Sequence, residues 1–185
     1  MRLKTSRERR ILHVKTFFRW LIYYFLIIAS FILMTSGTWL KPVLLVPIAL
    51  CIAMENDLMG SAFTGAFCGF LTDIACGRLF GYNAVLLTVF CVGFSLVFEL
   101  YLRQRFITYI VMTAAVSFLQ CWLDYKFYYE IWDYEDVGRI FTGVTLHVWV
   151  YTVIAAVVIY LITRLINHFL MPKVHLTIEE VIQTN

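Results

Sequence analysis

The sequence predicts an all-α integral membrane protein, a six-transmembrane-helix bundle with N- and C-termini cytoplasmic. Three observations carry that expectation. Of 185 residues, 62% are hydrophobic and only 15% are charged, against about 45–50% apolar and about 25% charged in soluble domains. The apolar residues arrive in blocks with few or no charges, at 17–34, 43–54, 60–71, 82–102, 106–123 and 145–166. Lysine and arginine are shared unequally between the two sides those blocks would define, as the positive-inside rule requires.

The elements follow in order. Residues 1–16 form a basic tail, and with Arg19 this end holds Arg2, Lys4, Arg7, Arg9, Arg10 and Lys15 against a single Glu8. Positive charge stays in the cytoplasm, so the N-terminus is inside. The tail either sets topology and attracts anionic lipid, at roughly 1 kcal/mol per basic residue near the surface, or docks a cytoplasmic protein. The apolar block at 17–34 exceeds a signal-peptide h-region and reads as a first span. Blocks 43–54 and 60–71 are short for a hydrocarbon layer of ~30 Å at about 1.5 Å per residue. Their weakly charged flanks let them extend to spans of about 41–54 and 58–73. The alternative, one re-entrant pair, strands Glu55 and Asp57 at membrane depth with no basic residue beside them, so two full spans are favoured.

Spans four to six cover about 82–102, 106–123 and 145–166. Glu99 precedes Arg103 by one helical turn and reads as an exposed ion pair. His147, near Trp149 and Tyr151, reads as an interfacial residue, with no partner spaced for a metal. Six spans place both tails, 1–16 and 167–185, inside with eleven of the basic residues, and leave Lys41, Arg78, Lys126 and Arg139 outside. The outer loop, 124–143, interleaves aromatic and acidic residues. Its Trp132 and Tyr134 are of the types that line a membrane interface, and equally of those that anchor protein contacts.

None of the polar pieces could bury a core of its own, so any function belongs to the bundle or to partners. Cys51, Cys68, Cys76, Cys91 and Cys121 lack C-x-x-C spacing and read as small apolar residues. No nucleophile elbow, phosphate-binding glycine loop or His-Glu-x-x-His motif occurs, so no enzyme activity, cofactor or nucleic-acid partner is expected.

The densest signal lies at 60–84. Ser61, Gly65, Gly69, Asp73, Gly77 and Gly81 succeed one another at four-residue spacing. Positions four apart share a helix face, so Ser61, Gly65 and Gly69 make a flat groove that another helix can approach closely. Asp73 ends the groove, where an unpaired carboxylate costs roughly 2.5–3.5 kcal/mol at the bilayer centre and less nearer the interface. Gly77 and Gly81 permit a tight turn through positive φ, and Asp73 and Asn83 can bond the backbone groups freed there. The region is therefore a self-satisfying corner, a surface presented to a partner, or both. The candidate partner-binding residues are Ser61, Gly65, Gly69, Asp73, Gly77, Gly81, Asn83, Trp132 and Tyr134.

At these residues the chain resembles the bacterial rod shape-determining MreD family, whose pattern Asp-x-x-x-Gly-x-x-x-Gly-x-Asn/His-Ala is met by Asp73, Gly77, Gly81, Asn83 and Ala84. The family often has proline where this chain has Leu79, and here the basic tail is longer and the outer loop more aromatic. The resemblance implies a non-catalytic subunit of the cell-elongation machinery in the bacterial plasma membrane. Such a subunit binds the single-span protein MreC and helps couple MreB filaments to peptidoglycan synthases. The family's fold is in turn similar to the substrate-binding subunits of energy-coupling-factor transporters, so the rival expectation is a small-solute transport subunit. Against that rival, the first span lacks a small-x-x-x-small docking face: Ala29 is followed by Leu33, and Ser30 by Met34.

Overall fold

The computed structural model describes residues 6–36, 42–100, 106–130 and 141–170. Six α-helices form among them: α1 Ser6–Thr35, α2 Leu45–Ala53, α3 Leu58–Cys76, α4 Tyr82–Leu100, α5 Phe106–Tyr125 and α6 Leu146–Leu170. A π-helical turn, Lys126–Glu130, continues α5, and another, Phe141–Thr145, leads into α6. No strand occurs among the described residues.

Four helical stretches are long and apolar enough to cross a membrane: Val14–Thr35, Leu58–Cys76, Phe106–Tyr128 and Gly143–Asn167. A fifth, Tyr82–Phe98, is apolar but shorter. Their exposed faces are built of Phe, Leu, Ile and Val, with Phe25 71% and Ile107 73% exposed. Asp73, Asn83, Thr113 and Gln120 lie buried instead. A chain that hides polar groups and shows phenylalanine is arranged for a hydrocarbon solvent. The protein is therefore membrane-embedded.

The second helix differs from the expected span. Only nine residues, Leu45–Ala53, are helical, about 13 Å at 1.5 Å per residue. All nine are buried, and α2 touches each of the other five helices. A helix apolar on every side belongs at the centre of a bundle, which is where α2 sits. Pro47 lies in its first turn, where the missing N–H removes a donor that had no intrahelical acceptor. Tyr109 of α5 reaches in to donate to Pro47 O at 2.9 Å. Tyr23, Ile27, Leu87, Phe94 and Ala156 complete the core around α2.

The α2–α3 turn closes one end. Ser61 Oγ faces Ala53 O, Asn56 O and Asp57 O at 3.2, 3.3 and 3.0 Å, on both sides of the turn where α2 stops and α3 starts. Asn56 Nδ2 donates to Ile52 O at 2.8 Å. The case against a re-entrant pair counted Glu55 as having no basic residue beside it; in the fold Arg19 of α1 donates to Asn56 Oδ1 at 2.8 Å, one residue from Glu55. Tyr23 Oη lies 3.1 Å from Glu55 Oε2 and 2.6 Å from Asn167 Oδ1. One phenolic proton cannot serve both acceptors. The Asn167 amide nitrogen otherwise lacks a partner, so the consistent arrangement has Asn167 donating to Tyr23 and Tyr23 to Glu55.

Candidate functional site at the α3–α4 corner

The α3 helix ends in a Schellman motif. Gly77 takes φ 61°, its N–H donates to Ile74 O at 3.4 Å, and Arg78 N–H donates to Asp73 O at 3.0 Å. A turn over residues 79–82 follows, with Tyr82 N–H donating to Leu79 O at 3.2 Å. Gly81 sits in its third position at φ 98°, the sign a type II turn requires there. Both glycines thus supply the positive φ expected of them.

Asp73 holds the corner from inside. Its Oδ2 accepts Gly81 N–H at 2.8 Å, and its Oδ1 accepts Asn83 N–H at 3.1 Å and Asn83 Nδ2 at 2.9 Å. Gly81 and Asn83 open α4, so a carboxylate borrowed from α3 caps the first turn of α4. The positive end of the α4 dipole then balances the buried charge. That is how an acid 1% exposed is tolerated.

Asp73 also orients a polar row. An ionised carboxylate only accepts, so Asn83 must turn its NH₂ toward it. Asn83 Oδ1 then faces Gln120, whose Nε2 donates to it at 2.8 Å. Gln120 Oε1 is left without a partner in the protein. Beside this row Arg78 makes an ion pair with Asp124 of α5 and lies 5.3 Å from the centre of the Tyr128 ring. Tyr128 Oη accepts Leu79 N–H at 3.0 Å, and Tyr82 stacks on Phe127 at 5.1 Å. The α3–α4 corner is thus locked to the end of α5.

The small-residue groove is occupied by the chain's own fourth helix. A Cβ on Gly69 would lie 2.3 Å from Ala84 Cα, and one on Gly65 would lie 2.9 Å from Leu87 O and Thr88 Cα. The α3 and α4 backbones are in contact there, and no helix of another chain could enter without displacing α4. Ser61 likewise faces its own α2–α3 turn. Sequence alone cannot say whose helix fills such a groove, since intramolecular and intermolecular packing select the same residues.

No protein-family model, no known curated protein and no solved structure matches this chain.

Of the other expected site residues, Gly77, Gly81 and Asn83 come together with Asp73. Trp132 and Tyr134 lie outside the described residues, as does the Arg103 expected to pair with Glu99. Cys51, Cys68 and Cys91 are buried, Cys121 is half-buried and Cys76 is exposed. His147 is exposed. Sequence reasoning missed Arg78, Ser117, Gln120 and Asp124. The signal was present: Thr113, Ser117, Gln120 and Asp124 recur at intervals of four, three and four, one buried polar stripe along an apolar helix. Among the described residues no group of three His, Cys, Asp or Glu could hold a metal ion.

Proposed function

We propose that this chain is a non-catalytic membrane scaffold of the rod shape-determining MreD type. It crosses the bacterial plasma membrane six times with both termini in the cytoplasm. It binds a single-span partner like MreC and so helps couple MreB filaments to peptidoglycan synthases. One observation carries the reading. The residues that match the family pattern, Asp73, Gly77, Gly81, Asn83 and Ala84, all take part in one rigid corner joining α3, α4 and α5. That corner exposes Leu79 and Phe80, 65% and 70% accessible, at its tip. A buried scaffold holding two large apolar residues outward is suited to present them to a neighbouring helix.

Because α4 fills the glycine groove, the partner surface is assigned to this tip, to the lipid-facing side of α3 around Phe63 and Phe70, and to the aromatic loop that contains Trp132 and Tyr134. The small cavity between α3, α5 and α6 gives the transporter alternative no support: it has room for roughly one water, whereas small-molecule sites need roughly 300–1,000 Å³.

The test is site-specific photo-crosslinking from Phe80 and from Trp132 in cells that also produce a single-span coiled-coil partner. Adducts of the partner's mass from either position are expected, and none from Leu87, which is buried. Absence of adducts from both surfaces, with the chain correctly inserted, removes the scaffold reading.

A further inference from the structure

The Arg78–Asp124 ion pair joins the end of α3 to α5, and beside it a small cavity lies between the two helices, with α6 on its third side. Most of its wall is apolar, and most of its polar groups are already engaged. Thr152 Oγ1 donates to Val148 O at 2.7 Å and accepts Val43 N–H at 3.0 Å. Asp124 Oδ1 is unpaired, but its carboxylate is served by the guanidinium through the other oxygen. Thr72 Oγ1 donates to Cys68 O at 2.8 Å and keeps lone pairs to accept with. Ser117 Oγ and Gln120 Oε1 have no partner in the protein, although both residues are only 2% exposed. They stand three apart on α5, on one face and on successive turns. The Asp73–Asn83 row takes the Gln120 amide nitrogen, so the Gln120 oxygen can only accept, whereas the Ser117 hydroxyl has a proton to give.

A buried oxygen without a partner is costly, and the cost falls here on two atoms lining one cavity. That cavity has room for roughly one water, and a buried water is held where about two to four polar groups meet it. We infer that one structural water occupies this site, accepting the Ser117 hydroxyl proton and donating its own two to Gln120 Oε1 and Thr72 Oγ1. Three bonds are what a buried water commonly makes, and these three use every group the wall leaves open on that side. A neutral occupant also suits the charges, because Asp124 is met by Arg78 and Asp73 by the first turn of α4. The water closes a circuit. Asp73 on α3 bonds Asn83 on α4, Asn83 bonds Gln120 on α5, and the water returns from Gln120 to Thr72, the neighbour of Asp73. The α3–α4 corner is therefore tied to α5 through a solvent molecule as well as through the ion pair.

Thermal unfolding of the full chain in detergent tests the bridge, with Ser117→Ala and Thr72→Val each removing a hydroxyl at little change in volume. In a dry cavity Ser117→Ala takes away an unpartnered oxygen, so the melting temperature stays or rises. With the water in place it falls by roughly 2–4 °C, and Thr72→Val lowers it similarly. Both substitutions act through one molecule, so the shift of the double variant departs from the sum of the two singles. A melting temperature unchanged or raised by Ser117→Ala overturns the bridge, as do single shifts that simply add. A structure of the full chain fine enough to show ordered solvent reads the site directly. One solvent peak about 2.5–3.0 Å from Ser117 Oγ, Gln120 Oε1 and Thr72 Oγ1 is expected, and an empty cavity in such a map overturns the site.

Discussion

At Gly69 the α3 and α4 backbones leave no space for a side chain. Its added Cβ would meet Ala84 Cα at 2.3 Å, and backbone cannot give way as a flexible side chain can. Gly69→Ala is therefore expected to destabilise the bundle by about 3 kcal/mol, and Gly65→Ala, with contacts starting at 2.9 Å, by about 1–2 kcal/mol. Gly93, on the same helix pair but with nothing within 4 Å of its Cβ, is the control. Gly93→Ala should stabilise α4 by about 0.5–1 kcal/mol through helix propensity. Thermal unfolding in detergent ranks the three, and equal effects at 65, 69 and 93 would contradict the close α3–α4 contact. Asp73 tests the corner separately. Asp73→Ala strands the Gly81 and Asn83 N–H groups and the Asn83 amide in a buried setting, at a cost of about 2–4 kcal/mol. Asp73→Asn keeps an acceptor for one or two of them, so its melting temperature should fall between wild type and Asp73→Ala.

Between elements, the two ends of the bundle are closed by different chemistry. At the α2–α3 turn burial pushes the Glu55 carboxyl up to about 7, against the opposing pull of the Tyr23 hydrogen bond and of Arg19. A carboxyl raised in the folded state binds more protons there than in the unfolded chain between the ordinary value of 4.5 and about 7. Its contribution to stability is present below that window and is lost as pH rises through it. Wild type should thus melt at lower temperature at pH near 7.5 than near 5, while Glu55→Gln flattens that slope; an unchanged slope in Glu55→Gln assigns the dependence to other groups. How far each end could be read in advance follows from the range of the signals. The corner at Gly77–Asn83 was legible because a positive-φ glycine and a nearby acid act within ten residues of each other. The Arg19–Asn56 and Tyr23–Asn167 contacts join residues 37 and 144 positions apart, and no local pattern announces them. The short α2 was half legible: its apolar run was clear, but only burial on all sides explains why nine helical residues suffice.

For the whole molecule, apolar surface outside and polar rows inside make the membrane the solvent that completes the fold. Length is the argument for topology. The α3 helix holds 19 residues, about 28 Å, close to the ~30 Å hydrocarbon layer. Its first residue follows the α2–α3 turn and its last precedes the corner at Gly77. One helix of that length separates the two ends, which favours a full crossing over a shallow re-entrant pair. Asp57 should consequently be reached from the cytoplasm and Leu79 from outside, in accord with the seven basic residues before residue 20. A chain with its five native cysteines replaced, carrying either Asp57→Cys or Leu79→Cys, can be treated with a membrane-impermeant maleimide. Labelling of Leu79→Cys is expected in intact cells stripped of the outer barrier, and labelling of Asp57→Cys only in inverted vesicles. Labelling of both positions from the same side would show that α3 does not cross, and the six-span arrangement would give way to a re-entrant one.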